Sequence, residues 1–179
     1  VLGDPALVGQ IVDADGQHSV LIVRTPCVNE QDSARIDSAL QGLIDLLRAN
    51  PGFLEGEDAI DRITIVAYEP AFGIIGDPAK RDPRTRQSAD HSMVYIVSTL
   101  LRKALEAAAA GGAASIGAGN DAWWKSLMLG PWDYSAEAID HPVTRRLMDR
   151  IVFEHGGPDY DARYPDGIPT SIRISGRAG

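Results

Sequence analysis

The chain has 179 residues, 44% of them hydrophobic and 23% charged, a balance that builds one compact globular domain over residues 1–179. Its net charge of −8, from 17 basic and 25 acidic residues, argues against a nucleic-acid partner, which would require a phosphate-neutralising basic surface. A small anionic substrate stays open, because a locally cationic pocket outweighs distant charge at physiological ionic strength. The lone cysteine, Cys27, excludes an intrachain disulfide and makes a reducing cytoplasm the simplest compartment. No uninterrupted apolar run approaches the roughly 20 residues of a membrane span. The opening Val1-Leu2-Gly3-Asp4 carries no signal-peptide pattern and reads as an excised or processed segment.

Val8 to Asp13 and Ser19 to Arg24 are short β-branched runs around Asp13-Ala14-Asp15-Gly16-Gln17, and Asp-Gly between such runs predicts an antiparallel hairpin. From Gln31 the period lengthens: Ile36, Leu40, Leu43, Ile44, Leu46 and Leu47 form a helical stripe that Asn50-Pro51-Gly52 stops. Ile63 to Tyr68 then reads as a strand returning to the sheet. Residues 76 to 89 carry two prolines and four cations without an apolar period, which predicts an exposed loop. Asp90 is the expected cap of a central helix through Met93, Val94, Ile96, Val97, Leu100, Leu101 and Leu105. The small residues from about 107 to 120 read as a flexible insertion. Trp123, Trp124, Leu127 and Met128 predict a short helix, and Pro142 to Arg150 another with proline in its first turn. Candidate strands Ile151 to Glu154 and Thr170 to Ile174 close the chain. The expected fold is α+β: a two-layer sandwich in which a mostly antiparallel sheet carries helices on one face.

No P-loop, GxSxG, HExxH or CxxC pattern is present, so short motifs assign no chemistry. Longer strings do. Asp61-Arg62-Ile63-Thr64-Ile65 with Glu69-Pro70-Ala71, then Asp82-Pro83-Arg84-Thr85-Arg86, then Asp90-His91-Ser92-Met93-Val94-Tyr95-Ile96 stand in a characteristic order. His141-Pro142-Val143-Thr144-Arg145-Arg146-Leu147-Met148-Asp149-Arg150-Ile151 and Tyr160-Asp161-Ala162-Arg163-Tyr164-Pro165 follow. In order and spacing these strings resemble the MmgE/PrpD family, over roughly residues 20 to 175 and within that family's smaller α/β domain; its larger helical domain has no counterpart here. The family includes 2-methylcitrate dehydratase, cis-aconitate decarboxylase and iminodisuccinate epimerase. The resemblance implies hydro-lyase chemistry on a small polycarboxylate without metal, iron–sulfur cluster or other cofactor. It also implies a site shared with the missing helical domain, and near-inactivity of this piece alone. A homodimer is the expected assembly, since a face left bare by the absent domain favours self-association.

Such chemistry needs a base beside a carbon acid, an acid for the departing hydroxyl, and cations for the carboxylates. His91 is the candidate catalytic group, with Ser92 and Tyr95 as substrate contacts at a helix start where free N–H groups favour anions. The alternative is that Asp90 and His91 only cap the helix and Tyr95 is core. Arg84 and Arg86 are the candidate carboxylate clamps within the cationic stretch Lys80, Arg81, Arg84, Arg86, whose alternative is a solvated loop. At residues 23 to 31 the family presents a lysine, a Tyr/Phe-Pro pair and a histidine. Here Arg24 stands for the lysine and Pro26 fits, but Asn29 and Glu30 occupy the place of the histidine. Cys27 reads as a packed side chain. That departure keeps a second reading alive, a non-catalytic binding or dimerisation module derived from the family.

Overall fold

A computed structural model of the chain describes residues 9–12, 18–23, 32–164 and 169–176, with side chains described from residue 40 onward apart from residue 75. Five strands, β1 (Gly9–Val12), β2 (His18–Val23), β3 (Ile60–Ala67), β4 (Ile151–His155) and β5 (Thr170–Gly176), form one sheet in the order β1-β2-β5-β3-β4. The predicted hairpin strands pair antiparallel, Val12 opposite Ser19. The Asp-Gly turn between them lies outside the described residues. The last strand enters the middle of the sheet, antiparallel to both β2 and β3.

The chain is thus α+β, and its sheet is mixed: β3 and β4 run parallel, Ile63 opposite Ile151 and Ala67 opposite His155. A parallel neighbour needs a long crossover, and residues 68–150 supply one containing six helices. These are α2 (Glu69–Ile75), α3 (Arg86–Asp90), α4 (Met93–Gly111), α5 (Asn120–Leu127), α6 (Ala136–Ile139) and α7 (Pro142–Asp149); α1 (Asp32–Ala49) precedes them and α8 (Pro158–Asp161) follows β4. Several of these helices pack on one another as well as on the sheet. α1 lies against β2 and β5, whereas α4 meets chiefly α7 and a 3-10 turn at Ala113–Ile116.

Strand alternation puts Ile63, Ile65, Ile172 and Ile174 on one face, all at most 1% exposed. They join Leu43, Ile44 and Leu47 of α1 and Val97, Leu100 and Leu101 of α4 in one hydrophobic core. α1 stops where its pattern stops, with the Asn50 side-chain amide donating to the Leu46 carbonyl at 2.9 Å and Pro51 opening a new turn. α4 is buried from Val94 to Arg102 without a break. That is why its sequence is apolar on more than one side. The segment from 107 to 120 completes α4 and then turns back, with Ile116 buried and the Trp123 indole donating to the Gly117 carbonyl at 3.1 Å.

Candidate functional site

The stretch between β3 and α4 holds most of the candidate residues. Instead of one long exposed loop, local capping breaks it into short turns. The Asp77 carboxylate accepts from the Ala79 N–H at 2.9 Å and starts a 3-10 turn at Pro78–Lys80. Thr85 and Ser88 then exchange a capping box that starts α3: the Thr85 hydroxyl accepts from the Ser88 N–H at 3.2 Å, and the Ser88 hydroxyl accepts from the Thr85 N–H at 3.0 Å. Pro83 and Ala89 are buried and anchor the segment, leaving its charged residues outside.

Those charges have separate destinations. Arg81 folds back, donating to the Gly76 carbonyl at 3.0 Å with its guanidinium 5.3 Å from the Phe153 ring centre. Arg84 pairs with Asp82 at 2.9 Å and Asp140 at 3.4 Å. Arg145 of α7 reaches the same acids, Asp82 at 2.7 Å and Asp140 at 3.1 Å, and donates to the Pro83 carbonyl at 2.7 Å. The strings around Asp82 and Arg145, far apart in sequence, therefore meet in one ion-pair cluster. The Arg84 hydrogen bond, helped by the charges of Arg84 and Arg145, holds the Asp82 carboxyl below the usual carboxylate range. Arg86 is the exposed first residue of α3. Arg24 lies outside the described residues, as do Cys27, Asn29 and Glu30.

The helix start is built differently from the sequence expectation. Asp90 is the last residue of α3, and Ser92 is the cap of α4, its buried hydroxyl accepting from the Tyr95 N–H at 3.2 Å and donating to the Lys80 carbonyl at 2.6 Å. Ser92 wins the role because its backbone is extended while that of Asp90 is still helical. Tyr95 is fully buried; its hydroxyl donates to the Asp133 carbonyl and its ring lies 5.9 Å from that of Tyr134. Burial pushes the Tyr95 phenol up from its ordinary value, and burial with the Asp90 carboxylate nearby pushes Tyr134 up to about 12. His91 stands outside this packing, exposed between α3 and the Ser92 cap.

Two polar arrangements escape sequence reasoning. In the first, Asp133 accepts from Lys103 and from the Gly130 N–H, at 2.9 and 2.8 Å, and pairs with Arg102 at 3.4 Å; Arg102 also donates to Thr144 at 3.1 Å and to Glu106. This seam fixes the turn at Pro131–Tyr134 against α4 and α7. In the second, His155 at the end of β4 pairs with Asp161 of α8 at 3.0 Å and with Glu69 of α2 at 3.4 Å. The available signal was a histidine closing an apolar strand just before Gly156-Gly157-Pro158. Its partners lie across two turns and on another strand's continuation, which no local period marks.

Among the described residues, no group of three or more His, Cys, Asp or Glu side chains is arranged to hold a metal ion, and no helix is long and apolar enough to cross a membrane. Comparison with models of known protein families, with curated proteins and with solved structures finds no match.

Proposed function

We propose that the chain is the smaller α/β domain of a 2-methylcitrate dehydratase-like hydro-lyase of the MmgE/PrpD family, closing over a small polycarboxylate held mainly by a helical domain. The observation that carries this reading is the order and spacing of the strings from Asp61 to Pro165. The meeting of two of them in the Asp82–Arg84–Asp140–Arg145 cluster supports it. In this reading the helices cover one face of the sheet as a two-layer body, and its outer rim meets the substrate.

The chemistry is an elimination. A base takes the proton from the carbon beside a carboxylate, the carbon–oxygen bond to the neighbouring hydroxyl breaks, and that hydroxyl leaves as water with a proton from an acid. Arg86 opens α3 and His91 follows its last residue, so the two stand at opposite ends of one short helix, and both are exposed. Arg86 holds a substrate carboxylate and His91 serves as acid or base. Arg84 contributes a second clamp by exchanging its Asp140 contact for a substrate carboxylate. Ser92 and Tyr95 support this edge from beneath, because their hydroxyls face inward. No cofactor takes part.

The test is turnover of 2-methylcitrate and cis-aconitate, followed by the ultraviolet absorbance of the unsaturated acid. This chain alone gives none. The same chain in an open reading frame that supplies a helical domain turns over, with Arg86→Ala raising KM and His91→Ala lowering kcat. Turnover by the isolated chain, or none by the joined protein, would overturn the reading.

One observation favours a second reading, a binding or dimerisation module: the polar groups of Ser92 and Tyr95 and both acids beside Arg84 are engaged within the fold. That module gives a homodimer in sedimentation whose mass and stability ignore polycarboxylates.

A further inference from the structure

β4 ends the sheet order, with β3 on one side of it and no described strand on the other. In a parallel pair, alternate residues turn their backbone N–H and C=O groups toward the neighbouring strand. The Ile63 N–H donates to the Arg150 carbonyl at 2.9 Å and the Gly156 N–H donates to the Ala67 carbonyl at 2.8 Å. Val152 and Glu154, which lie between these two bonds at the same alternation, therefore face β3. The backbone groups of Ile151, Phe153 and His155 point outward, and no other backbone group among the described residues pairs with them.

Edge strands usually carry a device that keeps other strands away, such as a proline, a lysine or a bulge. Ile151-Val152-Phe153-Glu154-His155 contains neither proline nor lysine, and its register against β3 runs without a bulge. Val152 and Phe153 are only half-buried. α2 packs on β4 and leaves Ile74 60% exposed, which adds apolar surface near this strand.

The outward groups are also self-complementary. Antiparallel strands exchange both bonds at alternate residue pairs, and when Phe153 stands opposite its own copy, Ile151 stands opposite His155. Every outward N–H and C=O of both strands then finds a partner. In that register Glu154 stands opposite Val152 and not opposite itself, which keeps like charges from direct contact. The midpoint of the strand becomes a two-fold axis, the commonest symmetry of homo-oligomers. We propose that a second copy of this chain docks on β4, antiparallel about Phe153, and joins the two five-stranded sheets into one. This goes beyond the lyase reading and gives the dimer of the second reading its surface.

Sedimentation equilibrium of the whole chain gives a dimer whose population rises with concentration, and amide exchange followed by NMR locates it. At a concentration about ten times the dissociation constant, mass action raises protection about tenfold at Ile151, Phe153 and His155. Val152 and Glu154, already bonded to β3, change less, and the far edge at Gly9–Val12 does not change. In a mixture of labelled and unlabelled chains, a cross-peak between the α-protons of Val152 in one copy and Glu154 in the other fixes the register. Phe153→Pro removes an outward donor, spares the bonds to β3, and gives a monomer. Where that variant does not fold, the exchange pattern and cross-peak of the unmodified chain decide. A chain still monomeric at about 1 mM, a folded Phe153→Pro chain that dimerises, or a dimer protected elsewhere would overturn the proposal. The last of these leaves the dimer reading standing, whereas a monomer removes both.

Discussion

Two ionic clusters flank α7, each made of two cations and two acids, yet the fold treats them differently. Asp82, Arg84 and Asp140 are 60%, 65% and 64% exposed, and only Arg145 is largely covered. In the other cluster Arg102, Lys103 and Asp133 are 11%, 20% and 16% exposed, and only Glu106 is open. Charge pairs in water gain little, because solvent and salt screen them and long side chains lose freedom. Charges taken out of water need every partner, since the loss of one leaves the others desolvated and unpaired. The covered seam is therefore a fixed part of the fold, whereas the open cluster can exchange partners at little cost. In the function proposed above, that difference is what lets Arg84 release Asp140 for a ligand carboxylate, while Arg102 has no such freedom.

The largest effect is expected at Asp133. Asp133→Ala removes the acceptor shared by Arg102, Lys103 and the Gly130 N–H, and costs about 3 kcal/mol. Urea denaturation followed by the fluorescence of Trp123 and Trp124 in the preceding α5 and of Trp132 within this turn measures it. A loss indistinguishable from that of a surface alanine substitution would mean that the seam is solvated after all.

A smaller effect comes from Tyr134, which shares the turn. Its phenol is raised from 10.0 to about 12, so the folded state holds that proton more tightly than the unfolded chain does. The contribution is complete below pH 10 and disappears as pH rises from about 10 to about 12. Alkaline unfolding curves show this as a falling urea midpoint, and Tyr134→Phe removes that part of the dependence. An ultraviolet titration in which every tyrosine ionises near its ordinary value would contradict it.

How far these differences could be read in advance depends on sequence distance. Capped and periodic elements were legible: α1 from its leucine stripe, α7 from Pro142, β3 and β4 from their apolar runs. The α+β class followed from these. The mixed sheet was not legible, because its parallel pair joins residues as far apart as Ile63 and Ile151, and β5 enters between β2 and β3 through partners more than 100 residues apart, such as Ile65 and Ile172. At the site, the concentration of cations from Lys80 to Arg86 was visible, but their destinations were not. Asp140, in the turn between α6 and α7, and Arg145 of α7 decide what Arg84 does, and both lie more than 50 residues later. The cap moved from Asp90 to Ser92 because α3 claimed Asp90 first, a boundary set by the Thr85–Ser88 box.

The smallest effect separates the clusters most sharply. Asp82→Asn removes one acid from the open cluster and leaves Arg84 and Arg145 with Asp140. Because Asp82 is held below its ordinary value of 3.8, its contribution is present above that pH and is lost as pH falls through the lower folded value. The variant should therefore differ slightly from the parent near neutrality and not at all in strong acid. In about 1 M salt, where screening acts over about 3 Å, the neutral-pH difference should also fade. The deficit of Asp133→Ala should survive the same salt, because solvent ions do not reach a seam in which Arg102 is 11% exposed. Equal salt sensitivity of the two variants would show that both clusters are solvated alike, and the division between fixed and exchangeable partners, on which the role of Arg84 rests, would fall with it.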